Sequence, residues 1–263
     1  MIDVVVISLV DAIERRRHIQ SAFEAAGVDF RFFDAVNGRA LNEADLKSCN
    51  PAMSKSGFKR PLSLPEIGCY LSHYRIWQSI CQTKAAWTIV LEDDSEIKPS
   101  FAGILSEIAA LRLDPAIIQL NDTNSTVIRR LARLTERHEL VELWIARRSS
   151  CGYAINHAGA QQMAKLALPF SRPIDIDMKH WWEFGIEMLA VKPSVVRERP
   201  GTLSGIEQSR IATKLQFSAS GVRGFFDNLL FQLRFKRGLV RARLAKFISG
   251  NQQPKTVVRP DAR

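Results

Sequence analysis

Apolar and polar positions along the chain alternate between two patterns. Short runs rich in β-branched residues are separated by longer stretches in which apolar residues return every three or four positions. The first pattern marks buried strands and the second amphipathic helices. Residues 3–9 predict a first strand. A helix follows from Asp11, with Glu14 three residues on as in a capping box, Ile19, Phe23 and Ala26 on one face, and Gly27 as its stop. Residues 29–35 predict a second strand, and Val36-Asn37-Gly38 a turn. Residues 42–64 are polar and mixed, which predicts a long irregular segment able to act as a flap over a site. Pro65 opens a helix to about Cys81, with Ile67, Leu71, Tyr74, Trp77 and Cys81 as its core stripe. Gly68 inside that helix costs ~1 kcal/mol relative to Ala, which suggests close approach of another backbone or a ligand.

Further strands are predicted at 87–91, 117–120, 140–146, 152–155 and 188–191, and helices at 99–111, 157–168 and through Trp181-Trp182. Residues 123–137 hold several arginines and little pattern, so they read as a surface segment. The strand-helix-strand opening predicts an α/β protein whose central sheet is mostly parallel and flanked by helices. No G-x-G-x-x-G follows the first strand, so a dinucleotide-type phosphate loop is not supported.

The most informative junction is the end of the strand that carries Trp87-Thr88-Ile89-Val90-Leu91. It stops in Glu92-Asp93-Asp94, three carboxylates that cannot continue into a core without partners. In an open α/β sheet, ligands bind at the carboxyl ends of strands. Acids at that edge suit a hard divalent cation, which in turn can hold a diphosphate. The competing reading is a turn or a helix cap.

Composition narrows the class. With 263 residues, 46% hydrophobic and 24% charged, the chain can bury a full core. No apolar run approaches the ~18 residues of a membrane span. Asp3 stands where a secretory signal would be basic, which places the protein in the cytoplasm. Cys49, Cys69, Cys81 and Cys151 form no CxxC pair, so neither zinc nor a disulfide framework is expected; Cys69 and His73 are spaced i, i+4 but lack a second ligand pair. The net charge of +10 is densest toward the C-terminus. From Gly221, phenylalanines and leucines interleave with arginine and lysine at roughly helical spacing, as in an interfacial helix on an anionic membrane; the alternative is a helix packed on the domain with its basic residues outward. Residues from 251 read as disordered. The domain organisation expected is 1–215, a basic helical tail over 216–250, and the terminus 251–263. Aromatics do not interleave with the basic run at 123–148, so a nucleic-acid binder is disfavoured.

Several stretches, in order, then resemble one family: Val4-Val5-Val6-Ile7-Ser8-Leu9 with Arg15-Arg16, Phe33-Asp34-Ala35-Val36-Asn37-Gly38, Glu66-Ile67-Gly68-Cys69-Tyr70-Leu71-Ser72-His73, Leu91-Glu92-Asp93-Asp94, Gly152-Tyr153-Ala154-Ile155, and Pro173-Ile174-Asp175. Together, over roughly residues 2–210, they resemble glycosyltransferase family 25, the lipopolysaccharide and lipooligosaccharide glycosyltransferases that include β-galactosyltransferases. The resemblance implies a GT-A-like α/β domain, an inverting mechanism and a nucleotide-sugar donor, commonly UDP-galactose. It maps the family's acidic motif onto Glu92-Asp93-Asp94, with Mn²⁺ or Mg²⁺ held by Asp94 and Glu92. The acceptor implied is a lipid-linked saccharide, which suits a peripheral location at the inner face of the cytoplasmic membrane. A nucleotidyltransferase using the same acids is the alternative.

The expected donor-binding set is Ser8, Leu9, Arg15, Asp34, Asn37 and Asp93. Arg16 and Arg17 are read as solvated. Inversion needs one general base and no enzyme nucleophile. The candidates are Asp175 and Asp177, after the stiff Pro173 and before Trp181-Trp182, which could face a sugar ring; Asp175 could instead cap the helix that follows. His73 is a further candidate as a hydrogen-bond donor. Residues 207–210 could close over the donor.

Overall fold

The computed structural model describes residues 2–50, 58, 60–121, 124–200 and 221–249. Strand β1 (Ile2–Ser8) leads through α1 (Ile13–Ala26) to β2 (Arg31–Asp34). A 3-10 turn (Gly38–Ala40), α2 (Glu43–Ser48) and the long α3 (Leu64–Ile80) follow, then β3 (Trp87–Glu92), β4 (Ser95–Ile97) and α4 (Phe101–Ala110). The second half contributes β5 (Ala116–Gln119), β6 (Val127–Arg133), β7 (Glu139–Leu143), β8 (Gly152–Asn156), α5 (His157–Leu166), α6 (Ile174–Asp177), a 3-10 segment (Met178–Glu183), β9 (Glu187–Lys192), β10 (Val196–Glu198) and α7 (Gly221–Ser249).

Eight strands form one sheet in the order β2-β1-β3-β8-β5-β9-β7-β6. Only β8 and β7 run against the others, so six of the eight strands point the same way. The predicted α/β fold with a mostly parallel sheet is what the chain adopts. Both faces of the sheet are covered, which explains why its central strands are continuous apolar runs. Val5, Ile7 and Val90 point to one side, against Ile67, Trp77 and Met163. Val4, Val6, Ile89 and Leu91 point to the other, against Ile19, Phe23, Phe101 and Ile104.

Local chemistry sets the boundaries. α1 ends at Gly27, whose φ of +62° lies in the left-handed region that glycine adopts without a Cβ penalty. It begins at Ile13 with Ala12 as its N-cap, so Asp11 does not cap it as the sequence suggested. α3 begins in a capping box between Ser63 and Glu66, and Arg60 grips the buried Glu66 carboxylate through both terminal nitrogens (2.6 and 2.7 Å). α2 starts in another capping box, Asn42 with Asp45, inside a stretch expected to be irregular. The proposed flap falls partly outside the described residues, as do residues 207–210 and the terminus from 251.

Three strands, β4, β6 and β10, escaped the sequence reading. β6 occupies part of the arginine-rich segment: Arg129 pairs with Glu142 (2.8 Å) and Arg130 with Glu139 (3.2 Å) across the β6–β7 ladder. It is an edge strand, so one side faces water and the apolar signal is lost. β4 and β10 form a separate antiparallel pair that carries the chain past the acidic triplet.

Candidate active site

β1, β2 and β3 end side by side, in register Ser8–Asp34 and Ile7–Glu92. Against these ends lies a cavity of about 580 Å³, walled by the start of α1, the turn after β2 and one face of α3. Its lining brings together Ser8, Leu9, Arg15, Asn37, His73, Glu92, Asp93 and Asp94. Eight of the eleven residues singled out in the sequence thus meet in one place.

Each carboxylate of the triplet has a different environment. Asp93 accepts from the Ser8 hydroxyl (2.7 Å) and from Arg15 (2.9 Å), which ties β3 to β1 and to α1. Glu92 Oε1 accepts from Ser150 (2.5 Å) and lies 3.3 Å from His73 Nε2. His73 is held in turn by Tyr153, whose hydroxyl is 2.9 Å from Nδ1 and receives the Trp77 indole N–H at 3.1 Å. A chain of donors running Trp77, Tyr153, His73, Glu92 satisfies every group, with the imidazole proton on Nε2. Asp94 Oδ1 is withdrawn from solvent and has no hydrogen-bond partner among the described residues. Burial, then the charges of Glu92, Asp93 and Glu198, push the Asp94 carboxyl up to about 7. A buried carboxylate oxygen without a donor, pressed by three other acids, is the chemistry of an oxygen site for a hard cation.

The structure corrects two readings of the arginines and the thiol. Arg16 is not solvated: it donates to the carbonyls of Leu9 (3.0 Å) and Ser8 (2.9 Å) and to Asp34 (2.5 Å), pinning the end of β1 to that of β2. Asp34 is therefore a partner of Arg16 at the rim and does not line the cavity. Among the described residues Arg17 pairs with exposed Glu14. Cys69 and His73 do gain a third neighbour, because Glu92 brings its oxygen within 4.8 Å of both. That set is softer than the Asp94 site and better matched to zinc.

Asn37 spends its side-chain oxygen on the backbone N–H of Arg39, capping the 3-10 turn. Its place at the cavity wall therefore comes with a structural duty.

The two candidate bases separate. Asp177 is buried, accepts from Arg172 (2.6 Å) and Tyr70 (2.5 Å), and lies outside the cavity. Arg172 also reaches Glu183 at 2.5 Å. That is the geometry of an anchor between α6, α3 and the 3-10 segment. Asp175 accepts from Arg148 at 2.7 Å and is also outside the cavity lining. Its position becomes clear from the residues before β8. Three consecutive side chains each hold one acid: Arg148 holds Asp175, Ser149 holds Glu198 (2.8 Å), and Ser150 holds Glu92. The comb thus connects Asp175, through neighbouring residues of the chain, to side chains that hold Glu198 and Glu92. Neither Glu198 nor the comb was visible in the sequence.

The family model described as "Glycosyltransferase family 25 (LPS biosynthesis protein)" matches residues 1–178. The chain is 28% identical over 229 residues to procollagen galactosyltransferase 2 of Homo sapiens, covering 75% of this chain and 36% of that protein. It is 35% identical over 99 residues to a glycosyltransferase 25 family member of Aedes aegypti, covering 36% of this chain and 16% of that protein. The chain thus spans about a third or less of the length of these curated relatives. A solved glycosyltransferase involved in glycosylating the PBCV-1 major capsid aligns with 81% of this chain and 98% of its own, at 9% identity and a TM-score of 0.43.

Proposed function

The chain belongs to glycosyltransferase family 25, and we propose that it transfers a hexose, with inversion, from a nucleotide diphosphate sugar to a saccharide hydroxyl. The observation that carries this reading is the orphaned, buried oxygen of Asp94 in a cavity at the ends of β1 and β3. A cavity of about 580 Å³ suits a nucleotide-sugar-sized ligand. The galactosyltransferase relatives support galactose, and UDP-galactose, as the donor. Ser8, Leu9, Arg15, Asn37 and Asp93 would receive it, with Asp34 bracing the rim through Arg16.

Asp94, with Glu92 beside it, would hold the Mn²⁺ or Mg²⁺. Such a cation supplies Lewis-acid stabilisation of charge on the leaving diphosphate. Arg15 adds a fixed positive charge at the same edge, already oriented by Asp93. His73, locked by Tyr153, donates toward Glu92 and keeps that carboxylate turned to the cavity wall. Asp175 serves as the base. It takes the proton of the acceptor hydroxyl as the oxygen bonds to the anomeric carbon and the sugar–phosphate bond breaks, the electron pair leaving with the nucleoside diphosphate. Arg148 fixes its orientation. The acceptor we assign is a lipid-linked lipopolysaccharide or lipooligosaccharide core, met at the cytoplasmic face of the membrane.

Thermal melting against a panel of nucleotide sugars, with and without Mn²⁺, tests this reading. A midpoint that rises with UDP-galactose only in the presence of metal supports it. No shift with any sugar nucleotide would overturn it.

A further inference from the structure

Helix α7 is gripped on one side only. Phe235 and Leu239 are buried on its inner face, and Gly238 lies flat on Trp182, where a Cβ would come within 3.0 Å of the ring. Arg243 and Lys246 stand over the Trp181 ring at 5.0 and 4.8 Å, and both reach Glu142. Half a turn away, at 100° per residue, the pattern reverses. Phe226, Leu229, Leu233, Val240, Leu244 and Phe247 fall within an arc of ~60° and all stand exposed. Leu230 and Ile248 border that arc. This one helix thus supplies half of the sixteen large apolar side chains exposed among the described residues. Lys236 flanks the strip on one side, Arg234 and Arg241 on the other, and Arg237 lies within it; all four are exposed.

We propose that this outward face of α7 lies on an anionic phospholipid surface, with the helix parallel to the membrane plane. The apolar strip enters the acyl boundary while its basic borders meet lipid phosphates. No described helix is long and apolar enough to cross a membrane, so the contact is interfacial. A second copy fits less well. Pairing two strips would set Arg234, Lys236, Arg237 and Arg241 against their like, with Asp227 the sole acid of the helix to answer them. The inner face of α7 packs on the Met178–Glu183 segment, which directly follows α6 with Asp175 and Asp177. The inference deepens the proposed function by naming the surface that presents the acceptor; the binding itself needs neither donor nor metal.

The test is sedimentation of the full chain with vesicles of phosphatidylcholine alone and of phosphatidylcholine mixed with phosphatidylglycerol, in the absence of nucleotide sugar. The parent should bind the anionic vesicles at least about tenfold better, and salt should weaken it. The Leu233→Glu/Leu244→Glu double variant should lose about tenfold or more in vesicle binding and keep its melting temperature. Arg234→Gln/Arg237→Gln/Arg241→Gln should remove the preference for anionic lipid. A parent that stays in the supernatant, or a double variant that sediments like the parent, overturns the proposal. A parent dimer in ultracentrifugation that becomes monomeric in the double variant, without vesicle binding, would assign the strip to a second copy. Vesicle binding without any nucleotide-sugar shift would retain the docking face and reject only the transferase reading.

Discussion

Gly68 in α3 lies against Gly38 in the turn that follows β2. A Cβ at Gly68 would sit 2.6 Å from the Val36 carbonyl oxygen, 2.8 Å from the Gly38 nitrogen and 3.0 Å from its Cα. Gly38 in turn abuts the backbone of Leu64 and Pro65. Two backbones approach here because neither position carries a side chain, and the contact forms one wall of the cavity. The Ser72 hydroxyl completes it, accepting from the Val36 N–H at 2.9 Å and donating to the Gly68 carbonyl at 2.7 Å.

Gly68→Ala therefore forces backbone apart where no flexible atom can yield. A loss of about 1–3 kcal/mol in unfolding free energy is expected, despite the better helix propensity of alanine. Because Asn37 rides on the same turn, donor affinity should fall as well. Denaturant titration checks the first point; unchanged stability would show that the two backbones are not held this close.

Asp94→Asn should abolish turnover and raise the stability of the metal-free chain. The sign follows from linkage. An aspartate raised from 3.8 to about 7 binds its proton more tightly folded than unfolded. Its stabilising contribution is present below the unfolded value and is lost as pH climbs through the folded one. At pH 8 the parent carries the full penalty and the amide carries none, a difference of order 1 kcal/mol or more. Melting curves at pH 5 and pH 8, without divalent metal, should show a smaller gap between the two proteins at the lower value, closing only toward the unfolded value of 3.8.

The same proton opposes the cation. Below about 7 the affinity for Mn²⁺ should fall by up to about tenfold per pH unit, since the ligand must be deprotonated. Titration calorimetry in two buffers of different ionisation enthalpy would reveal the released proton. A flat pH profile from 6 to 8 would remove Asp94 from the metal site.

Asp175 and Asp177 should respond in opposite ways. Asp177→Asn leaves Arg172 buried with half its partners, a change that costs about 3–5 kcal/mol in comparable buried pairs. It should show first as a lower midpoint in urea. Asp175→Asn should fold normally, bind donor normally and lose kcat by at least about a hundredfold. An unchanged kcat would place the base elsewhere, with Glu198 the first acid to examine.

Ser8→Ala removes one of the two groups that order Asp93 among the described residues and leaves Arg15. Donor KM should rise several-fold with a smaller effect on kcat, because the loss falls on positioning. Steady-state kinetics would separate the two; an equal drop in kcat and kcat/KM would instead mark a contact made only in the transition state.

Much of this protein was determined by the sequence alone. Strands buried on both faces must be continuously apolar, so β1, β3, β5 and β8 announced themselves, and the long helix declared its start at Pro65, one residue inside its first residue Leu64. The acids at the end of β3 stood out because carboxylates cannot extend a buried run. What the tertiary structure decided concerns groups whose partners are distant in sequence. Arg15 and Arg16 are adjacent and alike in the sequence; only the packing of α1 against the strand ends gives Asp93 to one and Asp34 to the other. Asp175 and Asp177 share one helical turn, yet Tyr70, 107 residues earlier, and Arg172 take Asp177 into the core. Glu198 reaches the acidic edge because β10 pairs with β4, a contact no local pattern encodes. The two sides of α7 have similar composition, and docking on Trp181 and Trp182 alone determines which apolar residues are covered and which remain on the surface. Periodicity records how much of a side chain is buried, while the partner it meets depends on how the chain closes on itself.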